Sequence, residues 1–128
     1  MSMSEEPRIA KRGPVTVVSL GPQYENLDEA ALERVQKTLL QVAADATPPL
    51  VVIDLSHTTF FGSSFIEILF RMWNRLNQRN GRFAISGLTD YCREVLEVAR
   101  LNELWRLFDS AEQAAAELER SSEPLEGS

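Results

Sequence analysis

Asp54, His57 and Ser63 fall within one ten-residue window, and a carboxylate, an imidazole and a hydroxyl are the parts of a hydrolytic triad. Such a triad works only when the imidazole stands between the other two groups, and spacing alone does not put it there. The glycine-flanked elbow that exposes a nucleophilic serine is missing, because Ser63 is followed by Ser64 and Phe65. No Gly-Lys-Ser/Thr follows an apolar run, which excludes a phosphate-binding P-loop. One histidine and one cysteine, Cys92, make neither a zinc ligand set nor an internal disulfide. The window is therefore read as non-catalytic, without metal or cofactor, and His57 as a loop residue with a local hydrogen bond.

A second chemistry suits the same window. Gly62-Ser63-Ser64 precedes an apolar stretch of helical period, and Ser64 with Glu67 has the spacing of a capping box. With Ser64 as the cap, Ser63 would stand one residue outside the helix, its hydroxyl toward solvent. A phosphate there would meet unpaired N–H groups and the positive end of the helix dipole. It would bring a charge of about −1.5 to −2 to any surface facing a partner. The same two serines also suit a plain helix start.

The elements that must position this window are legible around it. Ile9 and then Val15, Val17 and Val18, interrupted by Arg12-Gly13-Pro14, read as one strand or a strand pair. Leu27–Ala44 has helical period, with Asn26 and Glu29 as a plausible cap and Pro48-Pro49 beyond its end. Leu50–Leu55 is a continuous apolar run, the pattern of a strand buried on both faces, and it delivers Asp54 to the window. The second helix is expected over Ser64–Asn80 and the next strand over Phe83–Ser86. A helix capped by Thr89 or Asp90 follows, then a last strand over Leu104–Phe108, which carries Trp105. A final helix is capped by Ser110 and Gln113 and ends near Leu118. Strands alternating with helices predict an α/β sheet, whose ligands and switches lie beyond the carboxyl ends of the strands.

On the second helix, Phe65, Leu69, Met72, Trp73 and Leu76 share the core arc. Ile66 and Phe70 widen it on one side, as a partner surface or as a margin buried under a neighbour. Arg71, Arg75 and Arg79 line the other side and read as a solvated face. Phe60 and Phe61 point opposite ways in an extended loop: one plugs the core and the other is a contact residue beside Ser63.

The 128 residues carry 13 Lys and Arg against 19 Asp and Glu, a net charge of −6, which argues against a nucleic-acid binder. Hydrophobic residues at 44% and charged residues at 25% match a globular domain rather than a disordered chain. Residues 1–7 and 119–128 read as polar tails around one domain over 8–118. No apolar stretch has the length of a signal or a membrane span, so the expected location is cytoplasmic.

The stretch DLSHTTFFGSSF over 54–65, followed by a helix, a glycine, an apolar strand and a second helix before Leu101, resembles a STAS domain. It is most similar to the single-domain anti-sigma-factor antagonists of bacteria. The resemblance in element order covers roughly residues 8–118, and the specific motif is confined to Asp54–Ser64. It implies an α/β fold with a small mixed β-sheet and helices packed mainly on one side. It also implies a non-enzymatic protein that binds a serine kinase acting as the anti-sigma factor, is released by phosphorylation, and is restored by a serine phosphatase. Carried over by position, the acceptor is Ser63. Asp54 and Ser56 shape the loop, and Phe61, Gly62, Ser64 and Phe65 belong to the partner-binding surface. The chain departs from the family pattern at Gly62, where aspartate is usual, and at Phe65, where glycine is usual. Those departures motivate the alternatives: a STAS scaffold or accessory subunit that is not phosphorylated, or a STAS domain binding a small molecule or lipid.

Overall fold

The computed structural model describes residues 7–122. Five strands form one mixed sheet in the order β1(Arg8–Arg12), β2(Val15–Ser19), β3(Leu50–Asp54), β4(Arg82–Ser86), β5(Arg106–Phe108). β1 and β2 make an antiparallel hairpin around Gly13-Pro14, and the remaining neighbours are parallel. The connections between parallel strands contain α1(Glu29–Asp45), α2(Ser63–Gln78) and α3(Asp90–Val98), and α4(Ala111–Ser122) follows the last strand.

The period-two geometry of a strand decides which helix each residue meets. Val51, Ile53 and Leu55, with Val18, Phe83 and Ile85, join the large core beneath α1, α2 and α3. Leu50 and Val52, with Val15, Val17 and Ala84, meet Ala114, Ala115 and Leu118 of α4 on the other face. β3 is thus covered on both sides, which explains its unbroken apolar run. Three helices on one face and one on the other give the α/β arrangement expected, a small mixed sheet with its helices mainly on one side.

Several boundaries differ from expectation. α1 begins at Glu29 with Asp28 as its cap, its carboxylate accepting from the Ala31 amide at 2.9 Å. Leu27 is drawn out of the helix, and Asn26 out of the cap position, by pairing with Phe60. β5 is shorter than Leu104–Phe108, because Leu101–Glu103 forms a 3-10 turn that seats Trp105 in the core. α4 runs to Ser122 instead of ending near Leu118. Of the tails, Pro7 is buried and 119–122 continue α4, while 1–6 and 123–128 lie outside the described residues.

The arginine stripe of α2 divides. Arg71 pairs with Glu67 at 3.1 Å, but Arg79 donates to the Ala43 carbonyl at 2.9 Å and Arg75 reaches Leu40 at 3.5 Å. These guanidiniums lie at the negative end of the α1 dipole, a favourable place for a cation. The apolar margin is half-buried: Ile66 and Phe70 pack partly on the core, and Phe70 meets Trp105 edge-on at 5.0 Å.

At its C-terminus α2 closes with Asn80 in the left-handed region (φ 58°). The amides of Asn80 and Gly81 donate to Asn77 and Leu76, the paired bonds of a Schellman end.

Candidate switch loop

The segment between β3 and α2 leaves the sheet at Asp54, at the carboxyl ends of the parallel strands. Asp54 organises the exit. Its carboxylate accepts from the Ser56 amide at 3.3 Å, the Ser56 hydroxyl at 3.2 Å and the buried Ser86 hydroxyl at 3.3 Å. Gly87 (φ 73°) passes so near that a Cβ built on it would stand 2.6 Å from Asp54 Oδ1 and 2.9 Å from Ser56 Cβ. Only a residue without a side chain fits both the space and the left-handed backbone.

The middle of the loop is held by the turn before α1. The buried Thr58 hydroxyl donates to the Tyr24 carbonyl at 3.0 Å. The amides of Thr59 and Phe60 donate to the Glu25 carbonyl at 2.8 and 3.3 Å, and Leu27 returns a bond to Phe60 at 3.4 Å. From α3, the Cys92 thiol approaches the Thr58 carbonyl at 3.6 Å. Burial pushes the Cys92 thiol pKa up, and its hydrogen bond with Thr89 counters part of that rise. This clamp joins segments 34 residues apart, and no local pattern in the sequence encodes it.

The two phenylalanines separate as a pleated segment requires. Phe61 is 1% exposed and packs on Phe65 at 5.0 Å. Phe60 is 47% exposed and stacks on Tyr91 of α3, with centroids 5.9 Å apart and planes 19° apart. Phe61 and the buried Phe65 therefore shape the site from beneath, and Phe60 is the aromatic it presents to solvent.

Gly62 is the N-cap of α2, in extended conformation, with no side-chain cap bond. The expected capping box does not form: Ser64 lies inside the helix and Glu67 turns to Arg71. Ser63 is accordingly the first helical residue rather than one outside it, and both serines are exposed. The amides of Ser63 and Ser64 have no acceptor within the helix. A Cβ at Gly62 would meet nothing within 4 Å, so the mouth of the helix is open.

Among the described residues no hydrogen bond joins Asp54, His57 and Ser63 into a relay, and the carboxylate of Asp54 is engaged by serines instead. His57 is exposed. No group of three or more His, Cys, Asp or Glu among the described residues could hold a metal ion. None of their helices is long and apolar enough to cross a membrane. A groove of about 310 Å³ runs beside Ser64 between α1 and α2, and half of its lining is charged: Glu29, Glu33, Glu67 and Arg71.

The profile of the STAS domain family matches residues 6–114. The anti-sigma-F factor antagonist RsfB of Mycobacterium tuberculosis is 29% identical over 106 residues, covering 83% of each chain. A STAS-domain anti-sigma-factor antagonist from Planctomyces limnophilus is 35% identical with a TM-score of 0.83, over 89% of this chain and 98% of that one. The Bacillus cell fate determinant SpoIIAA in its phosphorylated form shares the fold at 17% identity and a TM-score of 0.65, over 87% and 96% of the two chains.

Proposed function

The chain belongs to the STAS domain family, and from that premise we propose that it is an anti-sigma-factor antagonist, a regulatory protein that binds a serine kinase acting as the anti-sigma factor and is switched by phosphorylation of Ser63. The observation that carries this reading is the open start of α2. Ser63 is its first residue, exposed, beside a glycine cap that offers no side-chain acceptor. A phosphate on Ser63 would lie near backbone amides that have no helical partner, where the helix dipole favours an anion.

The names of the relatives support the class of partner, and the phosphorylated SpoIIAA shows that this fold is compatible with phosphate in at least one of its members. The departures from the family pattern leave room for the switch. Phe65 sends its bulk into the core, so the surface over Ser63 is not obstructed by it. Gly62 leaves the first amides of the helix without a side-chain acceptor.

Release would be local. The loop is pinned to the turn before α1 and to α3, so the added dianion acts through its bulk and hydration inside a contact that must be dry, with no refolding. A serine phosphatase would return the protein to its binding form.

Phosphopeptide mass spectrometry on protein isolated from its source cells, in growth and under stress, tests the modification. Phosphate on Ser63 that changes with condition is the expected result. A well-sampled peptide without phosphate under every condition would overturn the switch and favour the reading of an unphosphorylated scaffold.

A further inference from the structure

The described ion pairs leave a set of charges unused. Glu25, Asp90 and Glu94 are exposed, and no basic side chain among the described residues pairs with them. They belong to the segments that carry the two stacked rings. Glu25 accepts backbone bonds from Thr59 and Phe60, Asp90 adjoins Tyr91, and Glu94 lies one turn along α3. Phe60 and Tyr91 are 47% and 50% exposed, and Val98, two turns beyond Tyr91 on the same side of the helix, is 79% exposed.

The charge is also unevenly placed across the sheet. Asp54 ends β3 and Asp90 opens α3 after β4, while Arg12, Arg82 and Arg106 lie at the opposite edge; Asp109 after β5 is paired with Arg93 at 3.5 Å, and Arg8, opposite Ser19, is a cation on the carboxyl-end edge. A partner approaching the switch loop therefore meets a negative rim around an apolar centre. Aromatic faces attract cations, most strongly where carboxylates stand beside them and water is displaced.

We infer that the Phe60–Tyr91 stack is a docking point for an arginine-bearing segment of the protein partner, with a guanidinium over the exposed ring face and its N–H groups on Glu25, Asp90 or Glu94. The apolar flank of the same segment would lie along α3 toward Val98. This inference rests on the proposed function for the identity of the partner, and it deepens that reading by giving the partner's chemistry.

The test uses the full chain and the serine kinases of the anti-sigma class encoded in its source genome, titrated by calorimetry at 50 and 300 mM salt. The variants are Phe60→Ala, Tyr91→Ala and the double substitution Glu25→Gln with Glu94→Gln. Tyr91→Ala and Phe60→Ala are expected to weaken binding by about tenfold or more, as anchor residues do. The double substitution is expected to weaken it at low salt and to flatten its salt dependence. Unchanged melting temperatures show that the exposed substitutions leave the fold intact. If these variants bind like the wild type while Ser63→Asp still releases the kinase, the docking point is overturned and the switch stands. If no kinase binds the wild type, the proposed function falls, and the docking point with it.

Discussion

The hydroxyl of Thr58 donates to the carbonyl of Tyr24 across 34 residues of chain, at 3.0 Å and out of contact with solvent. It ties the loop that leads to Ser63 to the turn that precedes α1. A buried acceptor left without its donor costs about 1–3 kcal/mol. Thr58→Val keeps the volume and removes the hydroxyl, and it is expected to lower stability by that amount in urea denaturation. Faster amide exchange at Thr59 and Phe60 would accompany it. An unchanged midpoint would mean that the clamp is held by the Glu25 carbonyl alone.

Gly87 carries the second constraint on the loop. Gly87→Ala forces a side chain into the left-handed region, against Asp54 Oδ1 and Ser56 Cβ. The backbone alone costs about 1–2 kcal/mol, and the displaced Asp54 adds to it. A loss of about 2–3 kcal/mol in the unfolding free energy is expected, with chemical-shift changes in Asp54–Ser56 and Ser86. A stability within a few tenths of a kcal/mol of the wild type would contradict the close approach.

Gly62 works in the opposite direction. Its Cβ position is open and its backbone is already extended, so Gly62→Asp supplies the missing cap. A gain of about 0.3–1 kcal/mol is expected from the cap and the dipole, read as a higher denaturation midpoint. The gain should shrink as the pH falls below about 4 and the new carboxylate is protonated.

Cys92 gives the fold a dependence on alkaline pH. Its thiol pKa is raised in the folded state by burial, so the folded state holds its proton more tightly than the unfolded chain does. The contribution to stability is complete below the unfolded thiol pKa of about 8.5 and is lost as pH rises through the higher folded value. Melting temperatures between pH 7 and pH 10.5 are expected to fall more steeply for the wild type than for Cys92→Ala. Parallel slopes would contradict this assignment.

Much of the architecture was legible because it rests on long, periodic apolar runs. Leu50–Leu55 reads as a buried strand and the arc of Leu69, Met72 and Leu76 as a core face, and the structure has both. The site was legible in its location but less so in its orientation. Which of two adjacent phenylalanines turns inward depends on the register in which Phe60 pairs with Asn26, a contact between distant segments that no local pattern encodes. The same pairing removed Leu27 from α1, where its helical period had placed it, and Asn26 from the cap. Ser64 and Glu67 fit a capping box by spacing, yet Gly62 begins the helix earlier and Glu67 prefers Arg71. Tyr91 gave no signal on its own, since its value lies in stacking on a loop residue 31 positions away.

The central claim is that partner binding depends on the state of Ser63. The direct measurement is the affinity of the anti-sigma-class serine kinase for the wild-type chain, for Ser63→Ala and for chain phosphorylated on Ser63, by calorimetry under one buffer. Wild type and Ser63→Ala are expected to bind alike, and the phosphorylated chain at least tenfold more weakly. Equal affinities for all three would contradict it.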